Sequence, residues 1–307
     1  MADALRTLVN AELSQPVDPR VTAMAEAIAA RHGAASRAVL FYGSCLREKQ
    51  LEGLMLDFYL IVSDYQAAYG KRWLAIANRL IPPNVFPFHH DGLAAKYAVL
   101  SESDFRREVS GRARSTSVWA RFAQPSRLVW SYDRDTLERV VDVIQDAAPT
   151  LFQYTLPMMD LTSPFGPGDI WKRGFALTYG AELRAERSVR PSSVVDADAE
   201  RYERFGLAAL ARIAELIGVG SNGEVALFKR ADRMARQWRR MQWKGKALSV
   251  LRLAKASLTY AGGAEYIAWK INRHAGTDIE LKPWQKRHPL LAAISLLPRL
   301  LRSGAIR

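Results

Sequence analysis

The sequence predicts an α+β protein with a mixed sheet, followed by a mostly helical part. Three observations support this prediction. The first 110 residues alternate between helix-like and strand-like segments, residues 111–217 carry mainly helical spacing, and the chain becomes strongly basic after residue 218. We therefore expect three regions, namely an α+β domain at 1–110, a helical domain at 111–217 and a basic, helical C-terminal region at 218–307.

The first elements are a helix and two strands. Asp18-Pro19 is a cap followed by a first-turn proline, and Gly33 is a typical helix end. A strand is predicted at 38–42, and a polar stretch at 47–53 separates it from a second strand at 57–62. Because the second strand is continuously apolar, we expect it to be buried on both faces.

A helix and a hairpin complete the α+β region. One apolar stripe predicts a single helix from Tyr65 to Leu80, ended by two prolines. Strands at 84–88 and 95–100 are joined around Asp91-Gly92, which is a strong hairpin signal. Further on, helical spacing occurs at 103–122, 135–147, 169–178 and 200–217, and the glycine-rich stretch 218–223 is typical of a linker.

Composition limits the class of protein. Hydrophobic residues make up 49% of the chain and aromatic residues 10%, which indicates a folded protein. The single cysteine, Cys45, excludes an internal disulfide and fits a reducing compartment. The N-terminal residues lack an apolar signal core, so a cytoplasmic location is expected.

The positive charge is concentrated at the C-terminal end. The last 87 residues, Ser221–Arg307, hold 18 of the 44 basic and 5 of the 31 acidic residues. The first 220 residues therefore hold 26 basic and 26 acidic residues and have no net charge. A neutral body with a basic end is typical of proteins that meet a polyanion, either nucleic acid or an anionic membrane. A merely solvated basic face is the alternative.

The most informative motif joins two strands. Gly43-Ser44 follows the strand at 38–42, and Asp57 begins the strand at 57–62. A Gly-Ser turn leaves backbone amides free to hold a polyphosphate. A carboxylate entering a buried strand is costly unless it is paired or metal-bound, and it can hold the Mg²⁺ that accompanies a nucleoside triphosphate. Together the two features predict a nucleotidyltransferase-like core.

One position departs from this pattern. Nucleotidyltransferases usually place a second carboxylate two residues after the first, where this chain has Tyr59. Either another acid completes the metal site, or the site is inactive. The candidate acids are Glu182, Asp64 and Asp91.

Other polar residues have weaker signals. Lys96 lies in a strand-like stretch and faces either the triphosphate or solvent, which alternation alone leaves open. His89 and His90 are adjacent and point to opposite faces of a strand, so a zinc site is not expected. Cys45 has no histidine nearby in sequence, and we reject it as a nucleophile.

Residues 38–190 resemble the mitochondrial-type phosphatidate cytidylyltransferases, the translocator assembly and maintenance proteins. That family has a Tyr-Gly-Ser-Gly turn, an Asp-Phe strand, an Asn-Gly-x-x-x-Lys-Tyr-Gly-Val hairpin and a Tyr-x-Gly-Asp-Phe-Arg element. The similar segments here are Phe41-Tyr42-Gly43-Ser44, Leu56-Asp57-Phe58, Asn84-Val85-Phe86, Asp91-Gly92-Leu93, Lys96-Tyr97-Ala98-Val99, Arg121-Phe122-Ala123-Gln124-Pro125 and Tyr179-Gly180-Ala181-Glu182-Leu183-Arg184. Departures include Cys45 and Ala98 in place of glycines.

The resemblance implies roles for individual residues. Asp57 and Lys96 would be catalytic, Asp57 would hold Mg²⁺, and Glu182 and Arg184 would reach the site from a second, winged-helix-like domain. That Glu182 is the second Mg²⁺ ligand is our own hypothesis. The nucleotide CTP would be bound by Tyr42, Gly43, Ser44, Lys96 and Arg184.

The C-terminal region suits an anionic phospholipid membrane. The apolar run at 290–297 is shorter than the roughly 20 residues that span a bilayer, and arginines flank it. A helix packed on the protein core is the alternative reading, and nucleic acid is not expected because no binding motif is present. The expected lipid-binding residues are Arg239, Arg240, Lys244, Lys246, Arg287 and Arg299.

These observations lead to one expectation and two alternatives. We expect a phosphatidate cytidylyltransferase, peripherally bound to the inner face of the membrane, that uses CTP and Mg²⁺. The first alternative is a nucleotidyltransferase for RNA, a protein or a small molecule. The second is a degenerate nucleotidyltransferase fold that only binds a membrane or a partner.

Overall fold

The structure is a computed structural model that describes residues 4–48, 51–160, 162–181, 191–217, 223–259 and 282–284. It contains five strands: β1 (Ser36–Tyr42), β2 (Met55–Val62), β3 (Asn84–His90), β4 (Leu93–Ser101) and β5 (Ser126–Ser131). The helices are α1 (Ala4–Leu13), α2 (Pro19–His32), α3 (Ser44–Glu48), α4 (Tyr65–Tyr69), α5 (Arg72–Leu80), α6 (Glu102–Val109), α7 (Trp119–Phe122), α8 (Arg134–Ile144), α9 (Ala147–Thr155), α10 (Pro167–Tyr179), α11 (Pro191–Asp196), α12 (Ala199–Ile217) and α13 (Gly223–Thr259).

The five strands form one mixed sheet in the order β3-β4-β2-β1-β5. Strands β2 and β4 are parallel, and the other three neighbouring pairs are antiparallel. The hairpin between β3 and β4 turns at Asp91 and Gly92, whose φ angles of 46° and 74° are those of a two-residue turn with both residues left-handed. The α+β class with a mixed sheet is therefore confirmed.

Each face of the sheet carries its own apolar cluster, because successive strand residues point to opposite sides. On one face, residues such as Leu40 and Ile61 pack against α1, α6 to α10 and α12. On the other, residues such as Val39 and Leu60 pack against α2 and α4. The burial of β2 on both faces is thus confirmed. The cluster on the first face extends from α1 to α13, so the three expected regions share it.

Two predicted helices are each interrupted. The helix expected from Tyr65 to Leu80 is wrong as a single element, because Gly70 ends α4 in the left-handed conformation with φ 62° and α5 begins at Arg72. The helix expected at 103–122 is also divided, since α6 ends at Val109 and α7 begins only at Trp119.

Strand β5 was not predicted. It lies beyond the expected boundary after residue 110 and pairs antiparallel with β1, with Tyr42 opposite Ser126. Its side chains are mostly half-buried, so the sequence lacks the strict alternation of a strand with one buried face. Long-range pairing with β1 therefore decides its conformation.

A buried ion pair connects the first helix to the second half of the chain. The carboxylate of Glu12 in α1 accepts two hydrogen bonds from the Arg201 guanidinium in α12, at 2.5 and 2.9 Å. The guanidinium also lies 4.2 Å from the centre of the Phe205 ring. Because charge-assisted, bidentate pairs are geometrically specific, this contact fixes how α1 and α12 pack.

The long helix α13 packs on the protein body along one side. Near its middle, the indole of Trp238 is buried and donates to the carbonyl of Tyr154 at 2.8 Å. Closer to its end, Arg252 donates to the carbonyl of Pro82 at 2.8 Å and Lys255 to that of Pro83 at 2.9 Å. The described part of α13 therefore lies against the protein body along this side.

The structure does not describe all of the segments for which the sequence makes predictions. Residues 218–222 of the expected linker and the apolar run at 290–297 lie outside the described residues. Within the described residues, the helices are too short or too polar for any of them to cross a bilayer.

Candidate active site

The site is built around the turn at the end of β1. Gly43 has φ +100°, a conformation that L side chains rarely adopt, and a Cβ atom there would lie 3.0 Å from Oδ2 of Asp57. Ser44 follows as the first residue of the short helix α3. The turn therefore requires glycine both for its backbone conformation and for its close approach to the carboxylate.

Asp57 faces this turn from the neighbouring strand. In the register of β1 and β2, Asp57 lies opposite Tyr42, the residue before Gly43. Its Oδ1 atom is buried and accepts no hydrogen bond. A buried carboxylate oxygen without a donor is costly, and a cation is the kind of partner that would offset this cost.

Lys96 supplies one such cation. It pairs with Asp57 in the parallel ladder between β2 and β4, so both side chains point to the same face. The Lys96 ammonium lies 3.0 Å from Oδ1 of Asp57. This contact is an ion pair without hydrogen-bond geometry, which is why Oδ1 still lacks a donor. Of the two orientations left open for Lys96, the structure has the one that faces the turn.

The back of β4 is held by a separate contact. Tyr97 points away from Lys96, and its hydroxyl lies 3.1 Å from Nε2 of His32 in α2. The His32 Nδ1 lies 2.9 Å from the Ala68 carbonyl and donates to it. Burial lowers the pKa of His32, so the neutral ring is favoured, and burial raises the pKa of Tyr97 to about 12. These contacts fix the strand that carries Lys96.

Tyr59 occupies the place of the usual second carboxylate. It lies on the same face of β2 as Asp57, but its side chain is only 3% exposed. Its ring centre lies 5.3 Å from that of Tyr42 and 5.3 Å from that of Phe122 in α7. Tyr59 is therefore part of the apolar core beneath the site and offers no carboxylate.

Arg121 is a residue near the turn that the sequence reasoning did not single out for the site. Its guanidinium carbon lies 5.5 Å from the ring centre of Tyr42. It adds a positive charge beside the residue that precedes Gly43. Arg121 lies in the segment Arg121–Pro125, which resembles a segment of the phosphatidate cytidylyltransferases. That resemblance could have identified Arg121 from the sequence.

The candidates for a second acid have different positions. Asp64 caps α4 by accepting hydrogen bonds from the amides of Gln66 and Ala67. It follows Asp57 by seven residues, which corresponds to about 23 Å of extended chain. Asp91 lies exposed in the hairpin turn, where Oδ2 is 3.5 Å from Nε2 of His90. Glu182 lies outside the described residues, as does Arg184.

The described residues contain no cluster of three or more histidine, cysteine or acidic side chains that could hold a metal. Of the two expected Mg²⁺ ligands, only Asp57 lies among the described residues. Cys45 is buried, with Sγ 3.6 Å from the carbonyl of Met55, in a setting that suits a packed side chain. The rejection of Cys45 as a nucleophile stays a prediction.

Helix α13 has a buried face and an exposed face. The buried face carries Trp238 and Met241, and the opposite face carries Trp243, which is 79% exposed. Four of the six residues expected to bind lipid lie on α13 and are exposed near Trp243, namely Arg239, Arg240, Lys244 and Lys246. The other two expected lipid contacts, Arg287 and Arg299, lie outside the described residues.

The chain has little similarity to known proteins. No family model matches the chain, and no curated protein matches it. A nucleotidyltransferase-like protein from Exiguobacterium sibiricum 255-15 is among the similar solved structures. It is 10% identical, the match covers 92% of each chain, and the TM-score is 0.30, too low to carry an argument about function.

Proposed function

We propose that the protein is a Mg²⁺-dependent cytidylyltransferase that transfers CMP from CTP to phosphatidic acid at the cytoplasmic surface of a membrane. The observation that carries the proposal is the meeting of Gly43, Asp57 and Lys96 at one point of the sheet. A glycine turn, a carboxylate facing it and a lysine beside that carboxylate are the parts that a metal-bound triphosphate requires.

The reaction follows from the chemistry of the substrates. A phosphate oxygen of phosphatidic acid attacks the α-phosphorus of CTP, the bond to the bridging oxygen of the β-phosphate breaks, and pyrophosphate leaves. Because that phosphate oxygen is already a good nucleophile near neutral pH, little general-base chemistry is needed. Positioning and charge neutralisation supply most of the rate.

Each residue has a part in this reaction. Asp57 would hold Mg²⁺, which neutralises phosphate charge when bound. The amides after Tyr42, at Gly43 and Ser44, would hold phosphate oxygens, and Lys96 would leave Asp57 to contact the triphosphate. Arg184 would contact the nucleotide, as the family resemblance implies, and Glu182 would complete the metal site as the hypothesised second acid. Arg121 would add positive charge beside the turn.

The lipid acceptor rests on two supports. One is the resemblance of residues 38–190 to a family that uses phosphatidic acid. The other is the exposed basic face of α13 with Trp243 at its centre, which suits the interface of an anionic bilayer. The basic residues Arg287 and Arg299 would add to this attraction.

The deciding experiment incubates the full chain with CTP, Mg²⁺ and phosphatidic acid vesicles, and measures pyrophosphate and CDP-diacylglycerol. We expect turnover by the wild type and none by Asp57→Ala. Glu182→Gln should be as inactive as Asp57→Asn, and near-normal activity would exclude Glu182 as the second acid. A protein that ignores phosphatidic acid and transfers CMP to RNA, a protein or a small molecule would be the first alternative.

The second alternative is a degenerate fold that binds a membrane or a partner without catalysis. The burial of Tyr59 in an aromatic cluster favours it, since the usual second carboxylate is replaced by core. Absence of any CTP-dependent pyrophosphate release, with retained vesicle binding, would establish this alternative.

A further inference from the structure

Helix α5 has its apolar side turned outward. Trp73, Ile76 and Leu80 follow one another at helical spacing and are 52%, 55% and 68% exposed. These three residues are called the α5 stripe below. Surface helices of globular proteins usually bury such a stripe against the core, so its exposure marks an interaction surface.

The inward side of α5 is held by polar contacts. The Asn78 side chain is buried, donates to the carbonyl of Val99 in β4 at 3.0 Å, and accepts from the amide of Asn84. The Asn84 side chain in turn donates to the carbonyl of Leu74 at 3.1 Å. Because these buried groups would lose their partners if the helix rotated, the α5 stripe stays on the outside.

Cations lie at both ends of the α5 stripe. Lys71 and Arg72 are exposed at the start of the helix, and Arg79 is exposed in its last turn. Arg114 is also exposed and donates to the carbonyl of Arg79 at 3.5 Å, which brings a fourth positive charge to this end. The sequence of α5 contains no acidic residue. The rim therefore complements a negatively charged surface.

We propose that the α5 stripe and its cationic rim form a second membrane-contact surface, which inserts into the interface of an anionic lipid bilayer. An exposed tryptophan with aliphatic neighbours and flanking lysine or arginine is the pattern of interfacial helices. The apolar side chains enter the boundary between headgroups and acyl chains while the cations contact lipid phosphates. This surface is separate in sequence from the basic face of α13.

The inference deepens the proposed function by naming where the protein meets its lipid, but vesicle binding requires no CTP turnover. The experiment is cosedimentation of the full chain with phosphatidic acid–phosphatidylcholine vesicles and with pure phosphatidylcholine vesicles. Trp73→Ser combined with Ile76→Ser should lower binding to the anionic vesicles about tenfold or more. The matched control is Leu207→Ser, which removes an exposed apolar side chain from α12 and should leave binding unchanged.

A second measurement locates the insertion directly. An environment-sensitive fluorophore attached at Ile76→Cys should shift to shorter wavelength with anionic vesicles and stay unchanged with neutral ones. Unchanged fluorescence, or wild-type binding by the Trp73→Ser, Ile76→Ser variant, would overturn the proposal. The proposal would also be overturned if light scattering showed that the same substitutions convert a dimer to monomers without changing vesicle binding. The α5 stripe would then be the contact with a second copy of the chain.

The two proposals fail in different ways. Asp57→Asn should keep vesicle binding and lose turnover, whereas the stripe variant should lose turnover on vesicles and keep it on a short-chain, water-dispersed phosphatidic acid. If the wild type shows no turnover on either substrate but inserts through α5, the proposed function fails and the membrane surface stands.

Discussion

Across the parallel strands β2 and β4, the ammonium of Lys96 lies 3.0 Å from Oδ1 of Asp57. The two side chains therefore neutralise each other when no ligand is present. A metal ion bound by Asp57 and a triphosphate bound by Lys96 would take the place of this ion pair. Under the proposed function the pair would make metal and nucleotide binding interdependent, which leads to the first prediction.

Lys96→Met should bind Mg²⁺ more tightly than the wild type in the absence of CTP, because the competing cation is gone. The same variant should lose about 10²–10³-fold in turnover, since a charge that stabilises the transferring phosphate is missing. Titration calorimetry and pyrophosphate release measure the two effects. Arg106→Met, at an exposed position on α6, is the control and should match the wild type in both. Weaker Mg²⁺ binding by Lys96→Met would contradict the competition.

Gly43→Ala should remove activity while leaving the protein folded. The added methyl group would meet Oδ2 of Asp57 at 3.0 Å, and φ +100° is strained for alanine. Gly53 provides the matched control, because it has φ +73° and an added Cβ would meet nothing within 4 Å. Gly53→Ala should cost about 1 kcal/mol of stability by the same backbone strain and keep full activity. Equal loss of activity in both variants would show that strain alone, and not the approach to Asp57, is responsible.

Removing one partner of the buried pair Glu12–Arg201 should destabilise the protein strongly. Glu12→Gln leaves the guanidinium without its counter-charge, and the expected loss is about 3–5 kcal/mol in the free energy of unfolding. Chemical denaturation measures it. The control is Glu52→Gln, which breaks an exposed ion pair with Arg20 at 2.7 Å and should change stability far less, because solvent screens an exposed pair. Similar losses in the two variants would mean that Arg201 finds other compensation.

Lys255 should make stability depend on pH. Burial lowers the pKa of Lys255 from 10.5 to about 7, whereas the unfolded chain keeps the ordinary value. Between these values the unfolded state binds more protons, so the free energy of unfolding should rise with pH, by at most about 1.4 kcal/mol per pH unit. This contribution is fully present above pH 10.5 and is lost as the pH falls through 7.

The measurement for Lys255 compares the wild type with Lys255→Met by chemical denaturation from pH 6.5 to 10. The difference in stability between the two proteins should move in favour of the wild type as the pH rises. A difference that stays constant over this range would contradict the lowered pKa.

Much of the fold followed from local signals. The cap at Asp18-Pro19, the hairpin turn at Asp91-Gly92 and the apolar run of β2 all have local physical causes, and each was predicted. The division of the expected helix at Gly70 was missed, because the apolar stripe continues on both sides of that residue. Strand β5 was missed because its pairing partner lies about 90 residues earlier in the chain.

The candidate site shows the same division. The sequence by itself predicted Gly43 and Asp57 as candidate site residues, since a glycine turn and a carboxylate at a strand start are local patterns. Only the tertiary structure decided that Lys96 faces Asp57 and that Tyr59 is core. It also decided that α13 presents four of its cations (Arg239, Arg240, Lys244 and Lys246) outward while Trp238 is buried. Those outcomes depend on strand register and helix packing, which are set by contacts between distant segments and cannot be read from local periodicity.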